Sequence, residues 1–445
     1  MIIFFTALLV GIVIGLIPGL GLFSALVILY PLLLSLSPSE ILMFYAVMGG
    51  TSQFVGSITA SLLGVAGEAS SVPATKEGPL LFLRGKGPEA IGFMSIGSFL
   101  GTLLVSIILL LFIENLSSTV GLFYSNNLQT ALFLLVMFII ILSGNNSMWL
   151  NLVYMIVGFM LANIGLQRYF VEPLTFGIPE LGSGIPFIAL ALGLYSLPQV
   201  YKGLSEISSD NLKKLNSIKN SKFLETLKNF KTVWRSSLRG SLLGMFSGMV
   251  PGLTTILASN LSYAFEKFIR KKRNSYNEGG DMHCLISAET ANNSGFLTSL
   301  LPLVIFGIPI IGSEAVVLNL IEKGGTAVGL NTLMADGIFE NVIYYYILGG
   351  LISFFVAWQG AKYCILIYKI PKSIIAGVIT FLSMFAVYLY GVDSTNHAFN
   401  FSCLFGFLFL GHLLKKTDTS VILFSFLIYP FLESSLYRFF IIHVS

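Results

Sequence analysis

"GLIPGLG" occupies residues 15–21 and "GMVPGLT" residues 248–254, each inside an apolar stretch and each in a G-x-x-P-G frame. Proline removes a backbone donor and glycine permits reversal, so an apolar helix is expected to stop at both places. The flanking charge decides where the chain goes next. Residues 202–239 hold nine Lys or Arg against three acids, and "KFIRKKR" follows at 267–273. Basic loops of this kind lie on the cytoplasmic side of a membrane. With both flanks inside, residues 240–265 cannot cross once. Each arm, roughly a dozen residues, also falls short of the about twenty that a span needs. The pattern predicts a re-entrant helical hairpin with Pro251-Gly252 at its tip. Residues 2–36, with no charge before Glu40, repeat the form around Pro18-Gly19.

Composition requires the bilayer that this reading assumes. The chain has 445 residues, 55% hydrophobic and 10% charged, with a mean hydropathy of +0.86. A soluble domain of that length could not cover so much apolar surface. The first segment has no basic start and no small-residue cleavage site, so it is expected to stay in the mature protein. Cys284, Cys364 and Cys403 are far apart, and the four histidines form no H-E-x-x-H. No G-x-x-x-x-G-K-[ST] loop is present. Disulfide frameworks, zinc centres and P-loop nucleotide hydrolysis are therefore not indicated. No catalytic residue, resident metal, cofactor or nucleic-acid partner is expected. The lipid bilayer is the surrounding medium, and the one small companion foreseen is a coupling ion, sodium or proton.

Five spanning segments follow the first hairpin, near 41–66, 88–113, 119–142, 148–166 and 183–201. Five follow the second, near 284–309, 341–361, 373–391, 398–414 and 418–442. A hairpin plus five crossings reverses the chain, so the second copy must be inverted. The expected fold is an all-α polytopic membrane protein with two inverted repeats, 1–201 and 240–445. Residues 202–239 form a basic cytoplasmic linker, read as a solvated connection in preference to an amphipathic surface helix. Counting outward puts residues 76–89, Lys369, Lys372, Lys415 and Lys416 inside, and both termini outside. Arg438 fits that count less well. Paired broken helices in inverted halves point to a secondary transporter.

Each half carries a second break, "SITASLLGVAGEASSVPATKEG" at 57–78 and "NNSGFLTSLLPLVIFGIPIIGSEA" at 292–315. A broken helix leaves amides free at one arm's start and carbonyls free at the other's end. The amides suit an anion, and the carbonyls with Ser, Thr and Asn oxygens suit a small cation. Expected substrate ligands from the first half are Pro18, Gly19, Gly21, Ser57, Thr59, Gly67, Ser70 and Ser71. From the second half they are Pro251, Gly252, Thr254, Thr255, Asn292, Asn293, Gly307, Pro309, Gly312 and Ser313. Glu289, Asn292 and Asn293 share one helical face by spacings of three and four. A carboxylate inside a span is a functional candidate by default. Thr59, Glu289, Asn292 and Gly307 are the expected cation ligands. The plainer reading is that Asn and Glu glue helices together and Pro-Gly merely kinks one. Repetition of the paired breaks favours function for the set. Glu68 and Glu314 are read as solvated acids at loop ends.

At these residues the chain resembles the large membrane subunit of the tripartite tricarboxylate transporters. The family's N-terminal G-x-x-P-G-x-G is matched by Gly15 to Gly21, and its G-S-I-S-A-I-L region loosely by residues 55–78. "KGPEAIG" (86–92), "TFGIPELGSGI" (175–185), "AETANNS" (288–294), "FGIPIIGS" (306–313) and "PFLESSLYRFF" (430–440) follow in order. Departures are Ala66, Ala69 and Ala288 where the family has Pro, and Ile310 where it has Gly. The resemblance implies a cation-coupled permease for small carboxylates in a bacterial inner membrane. It also implies a small membrane subunit, a periplasmic solute-binding protein, and motion of a substrate-binding part against a scaffold. Two rival readings are an intramembrane enzyme using Glu289 and Asp336, which no G-x-S-G or G-x-G-D motif supports, and a stand-alone channel or carrier of another solute.

Overall fold

The computed structural model describes residues 1–66, 68–123, 126–143, 146–165, 174–207, 223–251, 254–326, 337–390 and 396–444. Gly67, Gly252, Asp336 and residues 208–222 of the basic linker lie outside them. The described residues are almost wholly helical and contain no strand. Among them, five helices are long and apolar enough to cross a membrane.

The chain opens with α1 (Ile2–Leu16) and α2 (Gly21–Leu33), interrupted at residues 17–20. Gly19 takes φ +82°, which a side chain would resist, and a Cβ there would meet Gln199 O at 2.2 Å. α3 (Pro38–Leu63) follows, started by a capping box of Ser37 and Glu40. Close packing fixes the direction of α1. A Cβ at Gly11 would lie 2.6 Å from Met48 O, and one at Gly15 2.7 Å from Ser52 O. Four residues along α1 match four along α3, so these helices run parallel and α2 must bring the chain back.

The second half opens the same way. α10 (Phe223–Asn229) leads to α11 (Trp234–Ser247) and α12 (Thr254–Lys272). Cβ atoms at Gly244 of α11 and at its C-cap Gly248 would each lie 2.3 Å from a carbonyl, of Ala291 and Gly295, on α13 (Met282–Phe306). α11 and α13 are therefore also parallel. Arg239 of α11 meets Glu266 of α12 through two hydrogen bonds, 2.7 and 2.9 Å, clamping the two arms far from the tip. The arms are longer than the expected 240–265, because "WRSSLR" and "KFIRKK" have good helical propensity and extend each one.

After α3 come α4 (Val72–Leu83), α5 (Gly87–Phe123), α6 (Asn126–Ser143) and α7 (Met148–Ala162). α8 (Phe187–Ala191), a π turn over Leu192–Ser196 and α9 (Leu197–Glu206) complete this half. After α13 come α14 (Gly312–Lys323), α15 (Ile338–Cys364), α16 (Lys372–Tyr390), α17 (His397–Leu413) and α18 (Ser420–Val444). One difference from the sequence reading is in α5, which runs on through the polar run 114–118 to Phe123. That run contains neither Gly nor Pro, so nothing local stops the helix.

α3 and α13 form the centre. The ring of Tyr45 of α3 lies tilted against Phe296 of α13, 5.6 Å between centroids, while Ser57 hydrogen-bonds Glu289. Higher numbers on one pair with lower numbers on the other, so the two helices are antiparallel. α5 and α15 are antiparallel too, with Phe99 beside Phe354 and Thr102 against Gly350. The contacts cross between halves: α3 lies along α15, and α13 along α5. Glu77 of α4 is buried and accepts hydrogen bonds from Tyr263 Oη (2.7 Å), Tyr276 Oη (3.2 Å) and the Asp281 amide (2.7 Å). It ties α4 to α12 and to the turn before α13.

Candidate functional site

Both central helices end on a glycine in the left-handed region, Gly64 and Gly307, each at φ +67°. After each, the chain folds back toward the hairpins. In the first half this brings Glu68 to the start of α2, where its Oε1 accepts from the Leu22 amide at 3.0 Å. In the second half Glu314, buried in the first turn of α14, accepts from the Ile310 amide at 2.9 Å. Glu314 is therefore buried where a solvated loop-end acid was expected, and Glu68 is half-buried and tied to α2. Each caps amides that a broken helix leaves unpaired, which only folding back could arrange.

These returns place helix starts side by side. α2 runs beside α14, with Phe23 against Gly312 at one level and Tyr30 Oη donating to Asn319 Oδ1 further on. α12 runs beside α4 through the Tyr263–Glu77 bond. A cavity of about 280 Å³ opens where they meet. Its wall includes Gly19, Gly21 and Phe23 of the first tip, Thr254 and Thr255 at the start of α12, and Gly312 and Ser313 at the start of α14. Ser70, in the 3-10 turn before α4, joins them. The wall also contains Asp418 and Ser420, and Asp418 caps α18 by accepting from the Ser420 amide at 2.9 Å. No Lys, Arg or His lines it among the described residues.

Seven of the expected residues thus meet in one wall: Gly19, Gly21, Ser70, Thr254, Thr255, Gly312 and Ser313. Ser313 is held by Tyr45 Oη at 2.9 Å. Pro18, Ser71, Pro251 and Pro309 do not line the cavity. Glu68, Ser52, Gln53, Tyr195, Phe296 and Asp418 line it without having been singled out as ligands. Glu68 carried one usable signal, a G-E-A-S run in a break that resembles G-S-E-A at 312–315. Asp418 carried none, since only the packing of α18 against α7 brings it there.

A buried polar layer adjoins the cavity. Gln53 lies in the wall, and one turn along α3 Ser57 donates to the Gln53 carbonyl and bonds Glu289. Asn292 is one turn beyond Glu289, on the same helical face as Phe296 of the wall. Both side-chain polar atoms of Asn292, with Gln53 Oε1 and Asn293 Oδ1, are buried without a hydrogen-bond partner among the described residues. Asn293 Nδ2 donates to the Glu289 carbonyl, and Tyr346 Oη donates to the Asn293 carbonyl. Unpaired buried polar atoms are costly and uncommon in native structures, and they ask for a ligand.

Two expected cation ligands do not join this layer. Thr59 Oγ1 donates to the Gly15 carbonyl at 3.1 Å, so it faces α1. Ser57 and Thr59, two apart on a helix, point to different sides. Gly307 closes the far end of unbroken α13, and eighteen residues of helix put it roughly 27 Å from Glu289. Gly307 and Glu289 cannot hold one ion. Gly307 therefore stands apart from the layer around Glu289 because α13 continues unbroken between them.

The profile of the tripartite tricarboxylate transporter TctA family matches residues 1–424. Among curated proteins, the chain is similar to an uncharacterised 52.8 kDa protein from the TAR-I ttuC' 3' region of Agrobacterium vitis, 28% identical over 308 residues. The alignment covers 68% of this chain and 60% of that protein, so the chain spans less than two thirds of its relative's length. No solved structure matches.

Proposed function

Because the chain belongs to the tripartite tricarboxylate transporter TctA family, we propose that it is the permease subunit that carries a small carboxylate across the membrane together with a cation. Its apolar helices and its family support an integral membrane protein. The observation that carries the reading is the meeting of the starts of α2, α12 and α14 at one cavity, with an unpartnered polar layer beside it. Helix starts offer amides to a carboxylate. The two halves act as inverted repeats. Parallel α1 and α3, parallel α11 and α13, and antiparallel pairing of α3 with α13 and of α5 with α15 all support that arrangement. Basic segments meet in pairs, where Lys372 Nζ donates to the Ile207 carbonyl and Arg84 bonds Asn277, which supports their sharing one end. That end is the cytoplasmic one by the positive-inside rule.

The coupling cation, sodium or a proton, occupies the layer of Gln53, Ser57, Glu289 and Asn292. A solute-binding protein delivers the substrate from the periplasm of a bacterial inner membrane, and a small membrane subunit accompanies the permease. Uptake of radiolabelled citrate and succinate into proteoliposomes, with and without a sodium or proton gradient and a matching binding protein, tests this. Gradient-driven accumulation is expected. Steady ohmic current without accumulation would assign the chain to channels instead.

A further inference from the structure

A second cavity, about 700 Å³, lies between α9 and α17, away from the helix breaks. Its walls are two helical stripes. Pro198, Tyr201, Lys202 and Ser205 on α9 follow the i, i+3, i+4, i+7 spacing, and so do Phe405, Leu408, Phe409 and His412 on α17. The helices run parallel, because Gly193 meets Leu404 while Pro198 meets Gly411 further along both. Their basic ends therefore coincide: Lys202 stands with His412 and Lys415, and Lys415 Nζ lies 3.4 Å from His412 Nε2. Phe409 and Phe405 follow one and two turns before the end of α17, both exposed on the outer surface. No Asp or Glu lines the groove among the described residues.

We infer that this groove binds an anionic phospholipid, its headgroup held by Lys202, His412 and Lys415 and an acyl chain lying along Phe405 and Phe409. A site basic at one end and apolar along its length complements an anionic amphiphile; a free anion leaves the apolar part unused, and a zwitterionic lipid sets its own cation against the basic cluster. Basic groups at the cytoplasmic surface attract anionic headgroups, and the aromatic stripe faces the layer where chains lie. The inference does not depend on the transported substrate.

The test uses the purified full chain in detergent, supplemented with phosphatidylglycerol, phosphatidylcholine or glycerol phosphate. Retained lipid is read by native mass spectrometry and folding by thermal melting. Phosphatidylglycerol is expected to be retained and to raise the midpoint, and the other two are not. Lys202→Gln with Lys415→Gln should weaken phosphatidylglycerol binding roughly tenfold or more, and the Arg pair should keep it. Phe405→Ala with Phe409→Ala removes only exposed rings and tests the chain-binding part even where the Gln pair does not fold. Equal retention of the two lipids, or retention unchanged in both variant pairs, overturns the proposal. Protection by glycerol phosphate alone would make this a soluble-anion site, and a dimer that persists after delipidation with the groove covered would assign it to a second copy. Either result also overturns it.

Discussion

Asn292 is a residue whose stability and function should separate. Its amide is buried with no partner among the described residues, so it costs the fold free energy of about 1–3 kcal/mol. Asn292→Leu, close in volume, is expected to hold or raise the melting temperature while abolishing uptake. Transport that merely follows the amount of surviving protein would make Asn292 a packing residue. Asn293→Leu leaves the Tyr346 bond to the main chain in place, so it too should insert and fold while losing uptake. Normal affinity and uptake in that variant would remove Asn293 from the site. The polar face of Glu289, Asn292 and Asn293 was legible from spacing alone. Its pairing with Ser57 was not, because Ser57 meets Glu289 only through antiparallel packing of helices more than 200 residues apart in sequence. The same limit hid Asp418.

At the scale of elements, the G-x-x-P-G frame was the most legible feature. Its prolines end helices and its first glycines, Gly15 and Gly248, let backbones touch. One turn before the frame, Gly244 does the same, leaving its would-be Cβ 2.3 Å from the Ala291 carbonyl. Gly244→Val should therefore force α11 off α13 and destabilise by about 1–3 kcal/mol or more, seen as lost folded yield. Wild-type yield from Gly244→Val would mean the two helices are not so close. The hairpin has its own test in membranes. Single cysteines in 202–207 and in 267–273 should react with an impermeant reagent from one and the same side, the cytoplasmic one. Reaction from opposite sides would mean that residues 240–265 cross once. The lengths of the arms were less legible, since helix ends beyond the apolar stretch are set by propensity and the Arg239–Glu266 clamp.

For the molecule as a whole, charge balance governs the proposed transport. Each helix start offers only about half a positive charge. Glu68 already occupies the start of α2, Glu314 that of α14 and Asp418 that of α18. A dicarboxylate or tricarboxylate cannot enter such a cavity uncompensated, because desolvating an unpaired charge costs many kcal/mol. Substrate and cation must therefore strengthen each other's binding, reciprocally. Titration calorimetry with sodium replaced by choline should show substrate affinity falling roughly tenfold or more, a typical coupling. If protons serve instead, acidification should strengthen binding. Affinity indifferent to both would contradict the coupling. One further consequence concerns how the chain is built. α3 is buried along its whole candidate span, and α13, though 25 residues long, is not among the helices apolar enough to cross a membrane by themselves. α13 should then fail to leave the translocon for lipid on its own, and wait there until α5 and α11 can shield its polar face. A glycosylation-mapping assay should find isolated α13 poorly inserted, and inserted efficiently when the preceding helices are present.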